Sequence, residues 1–585
     1  MRASEVRSWR ARLARRVQFN TKRHRRLVCR IRDRSLNTNR RAGLPSTQQR
    51  RNFNLTVSCE RESMNKSKAF SYDVVPYASD THKTTRPDHL ATVAQFFGLR
   101  APDFRNSRVL ELGCAGGGNL IPMAAAYPES RFIGIDLSEN HIAEGEKAVA
   151  EIGLNNIDLR CLSITDVDAS FGIFDYIIAH GVYAWVPEQV RDKIIAICKE
   201  NLSPNGLAYV SYNTLPGWNM VKTVRDMMIY HAEQFDEPAA KVREARRMIE
   251  FAVNNSVTSD SSYKQILERE ATMIGEGSDD YLYHDHLARY NTPCYFHEFM
   301  EKATKEGLQY LGDCSLPSMY LGNFALQARE ILGQIDDIVR QEQYLDFLTN
   351  RRFRNTILCH AELPLNRNVT PDRLETLYFS TTLRPKEGVE NVNLSVDEKT
   401  EFVHPTSATG FVANNRVLTA LFCVLAEQPG LPTSLVELTA QACARLTDVT
   451  EGAVRQMFLD NGVTLVLSGA LEVASDQGCH TTEITARPEV WPCARYISRS
   501  KMRVPNVLHD AYEFSDDLRA MVPYADGTRT IEEITDSLLQ HFIKGELSFR
   551  LDGKLIADEP TLAPLLKRHV QAMLKFLADR AFLVA

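Results

Sequence analysis

The stretch VLELGCAGGGNL, residues 109–120, decides the fold of this chain. An apolar run typical of a β-strand leads into a turn with four glycines, and a helix is predicted to follow. Glycine permits positive φ and close approach of a ligand to the backbone, and a helix N-terminus presents unpaired N–H groups. Such a turn after the first strand of an α/β sheet binds a nucleotide-like ligand. The same turn also occurs as a purely structural element of other Rossmann-like proteins.

The next predicted strand strengthens the interpretation. FIGID, residues 132–136, ends in Asp136, 23 residues after Gly113. A carboxylate at that place can accept hydrogen bonds from both hydroxyls of a ribose. The dinucleotide fingerprint would need glycine where this chain has Ala115. The acidic Glu111 also fits a cationic ligand better than a diphosphate.

Strands and helices alternate through the first half of the chain. This alternation predicts an α/β fold with a mostly parallel, doubly wound sheet of the Rossmann-like class. A helix-rich stretch at about 218–290 precedes two further strands. The predicted strands are 108–112, 131–135, 157–162, 174–179, 207–212, 308–311 and 356–359, and the helices 85–98, 119–126, 139–152 and 187–201.

A mixed helical unit begins near residue 400. Helices at 411–427, 433–444 and 451–459 followed by a hairpin at 464–473 would give a winged-helix-like order, which raises a DNA-binding module as a second class of function. Residues 401–500 hold 6 Lys and Arg against 10 Asp and Glu. Because nucleic-acid affinity rests on neutralising phosphates with basic residues, we expect no nucleic-acid partner. We read this unit as a protein-contact or dimerisation domain, which leaves a homodimer open.

Composition narrows the class of protein. The 585 residues are 44% hydrophobic and 24% charged, as in ordinary globular proteins. The longest apolar runs fall short of the roughly 18 residues that a spanning helix needs, so we expect no integral membrane protein. The 12 cysteines include no C-x-x-C pair, which predicts reduced thiols in a cytoplasmic protein and no zinc site.

The first 63 residues differ from the rest. They carry 18 Lys and Arg against 4 Asp and Glu. They could be a basic arm for nucleic acid or membranes, a transit-like leader, or a start assigned too far upstream of Met64, where MNKSKAFSYD reads like a natural beginning. We favour the last interpretation and predict disorder in this stretch.

Further motifs carry a family resemblance. They are SYDVVPY at 71–77, TTRP at 84–87, HGVYAWVP at 180–187, YNTLPGW at 212–218, YLDF at 344–347 and RRFR at 351–354. With the glycine loop as motif I and Asp136 as motif II, the chain resembles class I S-adenosylmethionine-dependent methyltransferases with a methyltransferase regulatory domain. That group includes the rickettsial protein lysine methyltransferases acting on outer-membrane protein B. The resemblance covers about 64–585 and is most specific in the catalytic half; Ala115, where many relatives have Gly or Ser, is a small departure.

The resemblance implies a domain organisation. It consists of a basic extension at 1–63, a methyltransferase core at 64–235, and a helical regulatory insertion with the last strands of the core at 236–365. A connector at 366–399 and a winged-helix-like domain at 400–585 follow.

The resemblance also implies S-adenosylmethionine as the cofactor. Asp136 would hold the ribose, Leu137 would pack on the adenine, and Tyr77 would form a lid. His180 would face the sulfonium, although a structural histidine is an open alternative. The predicted cofactor-binding residues are Tyr77, Glu111, Gly113, Cys114, Ala115, Gly116, Gly118, Asn119, Asp136, Leu137, Ser163, Ile164, His180 and Gly181.

Two aromatic-rich loops suggest the acceptor. An aromatic cage would hold an ammonium by cation–π attraction, whereas the alternative is that these rings form hydrophobic core. The predicted catalytic residues are His180, Tyr183, Trp185, Tyr212 and Trp218. We therefore expect methyl transfer by in-line displacement to protein lysine, with a small-molecule acceptor, or a winged-helix regulator that senses S-adenosylmethionine, as alternatives.

Overall fold

A computed structural model describes residue 75 and residues 79–256, 261–407, 410–551, 554–556 and 558–584. Residues 1–63 and Tyr77, for which disorder and a lid are predicted, lie outside the described part.

Seven strands form the central sheet, in the order β3-β2-β1-β4-β5-β7-β6. The neighbours among β1 to β5 are parallel, and β7 runs antiparallel to β5 and β6. The strand order reverses between β1 and β4, which places a ligand crevice at the carboxyl ends of these strands. The strands are β1 Arg108–Leu112, β2 Arg131–Asp136, β3 Ile157–Cys161, β4 Phe174–Ala179, β5 Leu202–Asn213, β6 Leu308–Asp313 and β7 Phe353–His360.

Helices cover both faces of the sheet. One apolar core lies under α4 and α8. The core on the other face extends from α1 into the C-terminal half of the chain. The helices of this part are α1 Pro87–Phe96, α2 Leu120–Ala126, α3 Glu139–Ile152, α4 Glu188–Glu200, α5 Trp218–Ala232, α6 Pro238–Asn255, α7 Ser261–Glu276, α8 Phe296–Lys305, α9 Leu326–Leu332 and α10 Ile338–Thr349.

Helices α5 to α7 form the predicted helix-rich insertion and have a small core of their own. A helical turn, Asp279–Tyr281, and a π-helical turn, Leu282–His286, then lead the chain back to the sheet. Arg352, the residue before β7, donates to Glu270 of α7, with Nη1 3.1 Å from Oε2. The insertion is thereby joined to the start of β7.

A buried ion cluster joins two of the sequence motifs, YLDF at 344–347 and RRFR at 351–354. Arg354 on β7 donates to Glu342 (2.9 Å) and Asp346 (2.8 Å) on α10, and all three side chains are fully buried. The Arg354 guanidinium also lies 3.8 Å from the ring centre of Phe296. The cluster fixes α10 on the sheet.

The C-terminal half contains small sheets among helices. The first part comprises β8 Tyr378–Ser380, β9 Arg384–Pro385, β10 Thr400–Val403, β11 Gly410–Ala413, α11 Arg416–Glu427, β12 Thr433–Ser434, α12 Leu435–Ala444, α13 Glu451–Leu467 and β13 Glu472–Ala474. The second comprises β14 Glu489–Val490, α14 Pro492–Ile497, β15 Arg503–Pro505, β16 Ala511–Glu513, α15 Asp516–Met521, α16 Ile531–Ile543, β17 Arg550–Leu551, β18 Lys554–Leu555, α17 Glu559–Ala578 and β19 Leu583–Val584.

Two predictions in this half are wrong. Residues 411–413 belong to β11, and the helix begins at Arg416 after an Asn415 cap. The hairpin predicted at 464–473 is helical to Leu467, and β13 pairs with β8 instead. Leu465 and Val466 are buried on the helix, so tertiary packing overrides the strand preference of this apolar run.

No helix within the described ranges combines the length and apolarity needed to cross a membrane.

Candidate active site

A cavity of about 600 Å³ opens at the carboxyl ends of β1, β2 and β4. This is the edge where the strand order predicts a ligand crevice. Twelve of the residues predicted for the site line it: Glu111, Gly113, Cys114, Ala115, Asn119, Asp136, Leu137, Ser163, Ile164, His180, Gly181 and Trp185.

The glycine loop lines the cavity, and two of its lining residues have positive φ. Gly113 has φ +77° and Ala115 has φ +46°. A Cβ on Gly113 would lie 2.5 Å from Val182 Cγ2, so that position has no room for a side chain. Ala115 adopts a backbone conformation that glycine favours and that other residues rarely take.

Gly116 and Gly118 belong to the glycine loop but do not line the cavity. The Gly118 N–H donates to Ser79 Oγ over 2.7 Å. A Cβ on Gly118 would lie 2.2 Å from the Ser79 carbonyl oxygen. Gly118 is therefore needed for the close approach of the segment before α1.

Asp136 closes the β2 end of the cavity. Its Oδ2 accepts from the Ala115 N–H (3.0 Å) and its Oδ1 from the Ser138 N–H (2.9 Å). Each carboxylate oxygen has a further lone pair. Asp136 thus shapes the loop and can still accept two hydrogen bonds from a ligand.

Glu111 is a buried acid whose carboxylate is only partly hydrogen-bonded within the described part of the chain. Asn119 Nδ2 donates to its Oε1 over 2.7 Å, and its Oε2 has no hydrogen-bond partner within the described part of the chain. Burial raises the pKa of Glu111 to about 7; the hydrogen bond from Asn119 opposes this shift, and the nearby Asp136 adds to it. A buried acceptor at the cavity wall fits a cationic group of a ligand.

Leu137, Ser163 and Ile164 line the same end of the cavity, at the ends of β2 and β3. The Leu137 side chain is 52% exposed. Ser163 caps the short helical turn Ile164–Asp166 with its hydroxyl. The exposed Leu137 side chain gives this end of the cavity an apolar surface on which an aromatic ring of a ligand can pack.

His180 lies at the end of β4 in a network of hydrogen bonds. Its Nδ1 is 2.8 Å from Tyr209 Oη, whose hydroxyl donates to Asn355 Oδ1 over 2.7 Å. The ring of His82 lies against it with 3.7 Å between ring centres. Burial, with a smaller effect of His82, keeps the pKa of His180 well below its usual range, so the ring is neutral.

The aromatic cage is only partly supported. Trp185 lines the cavity. Tyr183 and Tyr212 are 1% exposed and both pack on Phe299, and Trp218 packs on Trp185 without lining the cavity. The rings of Tyr183 and Tyr212 therefore belong to the hydrophobic core, as the alternative interpretation of these loops expects, and neither they nor Trp218 are among the residues that line the cavity.

One wall of the cavity was not predicted from the sequence. Ser278, Asp280, Tyr281, His284, Asp285 and Tyr290 reach it from the turns that follow α7. His284 Nε2 lies 2.6 Å from the Val75 carbonyl oxygen. The run YLYHDH at 281–286 is rich in aromatic and titratable residues, which is the one signal that could have indicated it.

The segment before α1 forms another unpredicted wall, through Ser79, Asp80 and His82. Asn119 Oδ1 accepts from the His82 N–H over 2.9 Å. No sequence pattern singles out these three residues. They reach the cavity because the segment crosses the glycine loop.

Comparisons with known proteins agree with this geometry. Three family models match: a methyltransferase domain at 109–206, a predicted methyltransferase regulatory domain at 278–360, and the PKMT C-terminal winged helix domain at 486–582. The sequence predicts the winged helix from three helices between 411 and 467. The domain that the family model matches, at 486–582, follows these helices in the chain. The glycine loop, the acid at the end of β2 and the strand order define a methyltransferase that uses S-adenosylmethionine as its cofactor.

Two relatives cover nearly the whole chain. An uncharacterized protein of Rickettsia prowazekii (strain Madrid E), RP789, is 38% identical over 517 residues, which are 88% of this chain and 93% of that protein. PKMT2 from Rickettsia typhi is 34% identical with a TM-score of 0.80, over 87% of this chain and 100% of that one. PKMT2 has also been solved in complex with AdoHcy. The chain belongs to this family of PKMT-type methyltransferases.

Proposed function

We propose that the protein methylates lysine amines of protein substrates. The observation that carries this proposal is the wall formed by the turns after α7. It brings Asp280, Asp285, Tyr281 and Tyr290 to the cavity that Trp185 of the loop after β4 also lines. Carboxylates and aromatic faces together attract a cation. An acceptor that carries an ammonium group suits this wall, and an anionic acceptor does not.

The remaining walls suit the cofactor. Asp136 would accept hydrogen bonds from the ribose hydroxyls, and Glu111 would face the ammonium of the methionine part. Leu137 and Ile164 would pack against the adenine. Among the residues that the structure describes, a Cβ on Gly181 would meet nothing within 4 Å, so they leave open space for the reacting groups at this position.

S-adenosylmethionine supplies the methyl group when bound, by in-line displacement at its sulfonium. The residues of this chain would align the acceptor and exclude water. Asp280 and Asp285 would attract the ammonium form of lysine. Desolvation beside Trp185 lowers the pKa of the amine and favours the neutral nucleophile. Burial keeps the pKa of His82 and His180 low, so neither adds a positive charge beside a sulfonium.

Transfer of labelled methyl groups tests the proposal. Purified protein is incubated with methyl-labelled S-adenosylmethionine and a cell lysate, and the label is followed into protein and small-molecule fractions. We expect label in protein and, after hydrolysis, methylated lysine. A matched lysate with its lysines acetylated should accept little label. Label in the small-molecule fraction, or equal label in the acetylated lysate, would contradict a lysine acceptor.

A further inference from the structure

The segment 79–86 lies between the glycine loop and the C-terminal domain. On the loop side, Ser79 Oγ accepts from Gly118 N–H over 2.7 Å and the His82 N–H donates to Asn119 Oδ1 over 2.9 Å. Because Ser79, Asp80 and His82 line the cavity, the position of this segment sets the shape of the cofactor site.

On the other side, residues 501–510 hold the same segment. Lys501 Nζ donates to the Ser79 carbonyl over 3.1 Å, and Thr81 Oγ1 donates to the His509 carbonyl over 3.2 Å. Lys83 forms ion pairs with Asp510 (3.3 Å) and with Glu472 (3.0 Å). Four contacts thus join Ser79, Thr81 and Lys83 to residues more than 380 positions later in the chain.

His509 also reaches the glycine loop directly. Its Nε2 lies 3.3 Å from the Asn119 carbonyl oxygen, and since a carbonyl can only accept, Nε2 donates. The side chain of Asn119 in turn donates to Glu111 over 2.7 Å. A chain of contacts therefore runs from the C-terminal domain to the buried acid of the cavity.

The backbone at His509 is held in an unusual conformation. Its φ is +66°, and the residue is 3% exposed. Burial lowers the pKa of His509 to about 3, so the ring stays neutral and its proton stays on the nitrogen that donates. A non-glycine residue persists in this region only when its surroundings determine it strongly.

We propose that the C-terminal winged-helix domain completes the cofactor site, with His509 and Lys501 as positioning residues. They hold segment 79–83 and the Asn119 carbonyl in the geometry that binds S-adenosylmethionine. The inference holds whichever acceptor the enzyme uses, because it concerns the cofactor alone.

Binding of S-adenosylhomocysteine by single variants of the full chain tests the inference. Lys501→Met keeps the aliphatic stem but not the donor, and the dissociation constant should rise about fivefold, the effect of one hydrogen bond. His509→Ala should weaken binding about tenfold, since it loosens both Asn119 and the backbone near Thr81. His509→Gln retains a donor of similar reach and should bind within about threefold of the original protein. His509→Asn tolerates positive φ but is too short to reach Asn119, so it should resemble His509→Ala.

Lys567→Met is the matched control, because Lys567 pairs with Glu532 on the surface of the same domain. It should leave the affinity unchanged. Hydrogen exchange supplies a second readout: the amides of residues 79–86 should exchange faster in Lys501→Met and His509→Ala than in Lys567→Met. Folded Lys501→Met and His509→Ala proteins with unchanged affinity and unchanged exchange at 79–86 would overturn the inference, even if their melting temperatures fall.

Discussion

At the scale of single residues, we expect Glu111 to make cofactor binding sensitive to pH. Its pKa is raised to about 7 by burial in the free protein, and pairing with the ammonium of a ligand favours the ionised form. A proton must therefore leave Glu111 on binding at lower pH. Affinity for S-adenosylhomocysteine should be full above pH 7 and fall by up to about tenfold per unit below it.

Calorimetric titrations between pH 5 and 8 check this prediction. Glu111→Gln retains the hydrogen bond from Asn119 and should flatten the profile near pH 7. His82, His180 and His284 face the same cavity with lowered pKa values, so the variant is compared with the original protein near pH 7, above the range in which these histidines titrate. An unchanged profile in Glu111→Gln would remove Glu111 from contact with the ligand.

Two neighbouring rings have opposite roles at the residue scale. Trp185 lines the cavity and Tyr183 is buried against Phe299. Trp185→Ala should lower turnover roughly thirtyfold, equivalent to about 2 kcal/mol of lost cation–π attraction, with cofactor affinity within a few-fold. Tyr183→Ala should instead lower the free energy of unfolding by about 3–5 kcal/mol.

Thermal melts beside cofactor titrations separate the two rings. Tyr230→Ala serves as the control, because Tyr230 is 79% exposed on α5. If Trp185→Ala lost stability and cofactor binding together, Trp185 would be a core residue and the acceptor wall would be misplaced.

At the scale of elements, the buried Arg354 cluster fixes α10 on the sheet. Arg354→Met leaves Glu342 buried without its ion-pair partner and leaves Asp346 paired with Arg351 alone, which should cost about 3–5 kcal/mol of the free energy of unfolding. Burial already raises the pKa of both acids, so they would take up protons. The loss should accordingly be smaller at pH 5 than at pH 8.

Urea denaturation at the two pH values measures this loss. Lys386→Met removes an exposed pair with Glu401 and should change the stability by less than about 0.5 kcal/mol. An equal, small effect of both substitutions would show that the cluster contributes little to holding α10.

The elements also show what the sequence can predict. The glycine turn, the alternation of apolar strands and the acid at the end of β2 are local signals, and β1, α3 and β4 have the predicted bounds. The wall from the turns after α7 has only the weak signal of the YLYHDH run, because Asp280, Tyr290 and Trp185 come to line one cavity only once the chain has folded. The sequence likewise does not distinguish Tyr183 from Trp185: both belong to one short turn, yet Tyr183 lies in the core and Trp185 lines the cavity.

At the scale of the whole molecule, the C-terminal winged-helix domain is part of the methyltransferase. It lacks the net positive charge of a DNA-binding module. Residues 486–582 hold 14 Lys and Arg and 14 Asp and Glu. Without a net positive charge, few phosphates can be neutralised. We expect no complex between the purified protein and a short DNA duplex at micromolar concentration in an electrophoretic shift assay, and a stable, salt-sensitive complex would contradict this.

One titration tests whether the cavity at β1, β2 and β4 is the cofactor site. S-adenosylhomocysteine is titrated calorimetrically into the full-length protein, into Asp136→Ala, and into Asp158→Ala, a control on the exposed side of β3. We predict one site per chain, with affinity at least about tenfold lower in Asp136→Ala, since hydrogen bonds to a charged group contribute about 1.5–3 kcal/mol each. Asp158→Ala should bind like the original protein. Unchanged affinity in a folded Asp136→Ala protein would contradict the account and place the cofactor elsewhere.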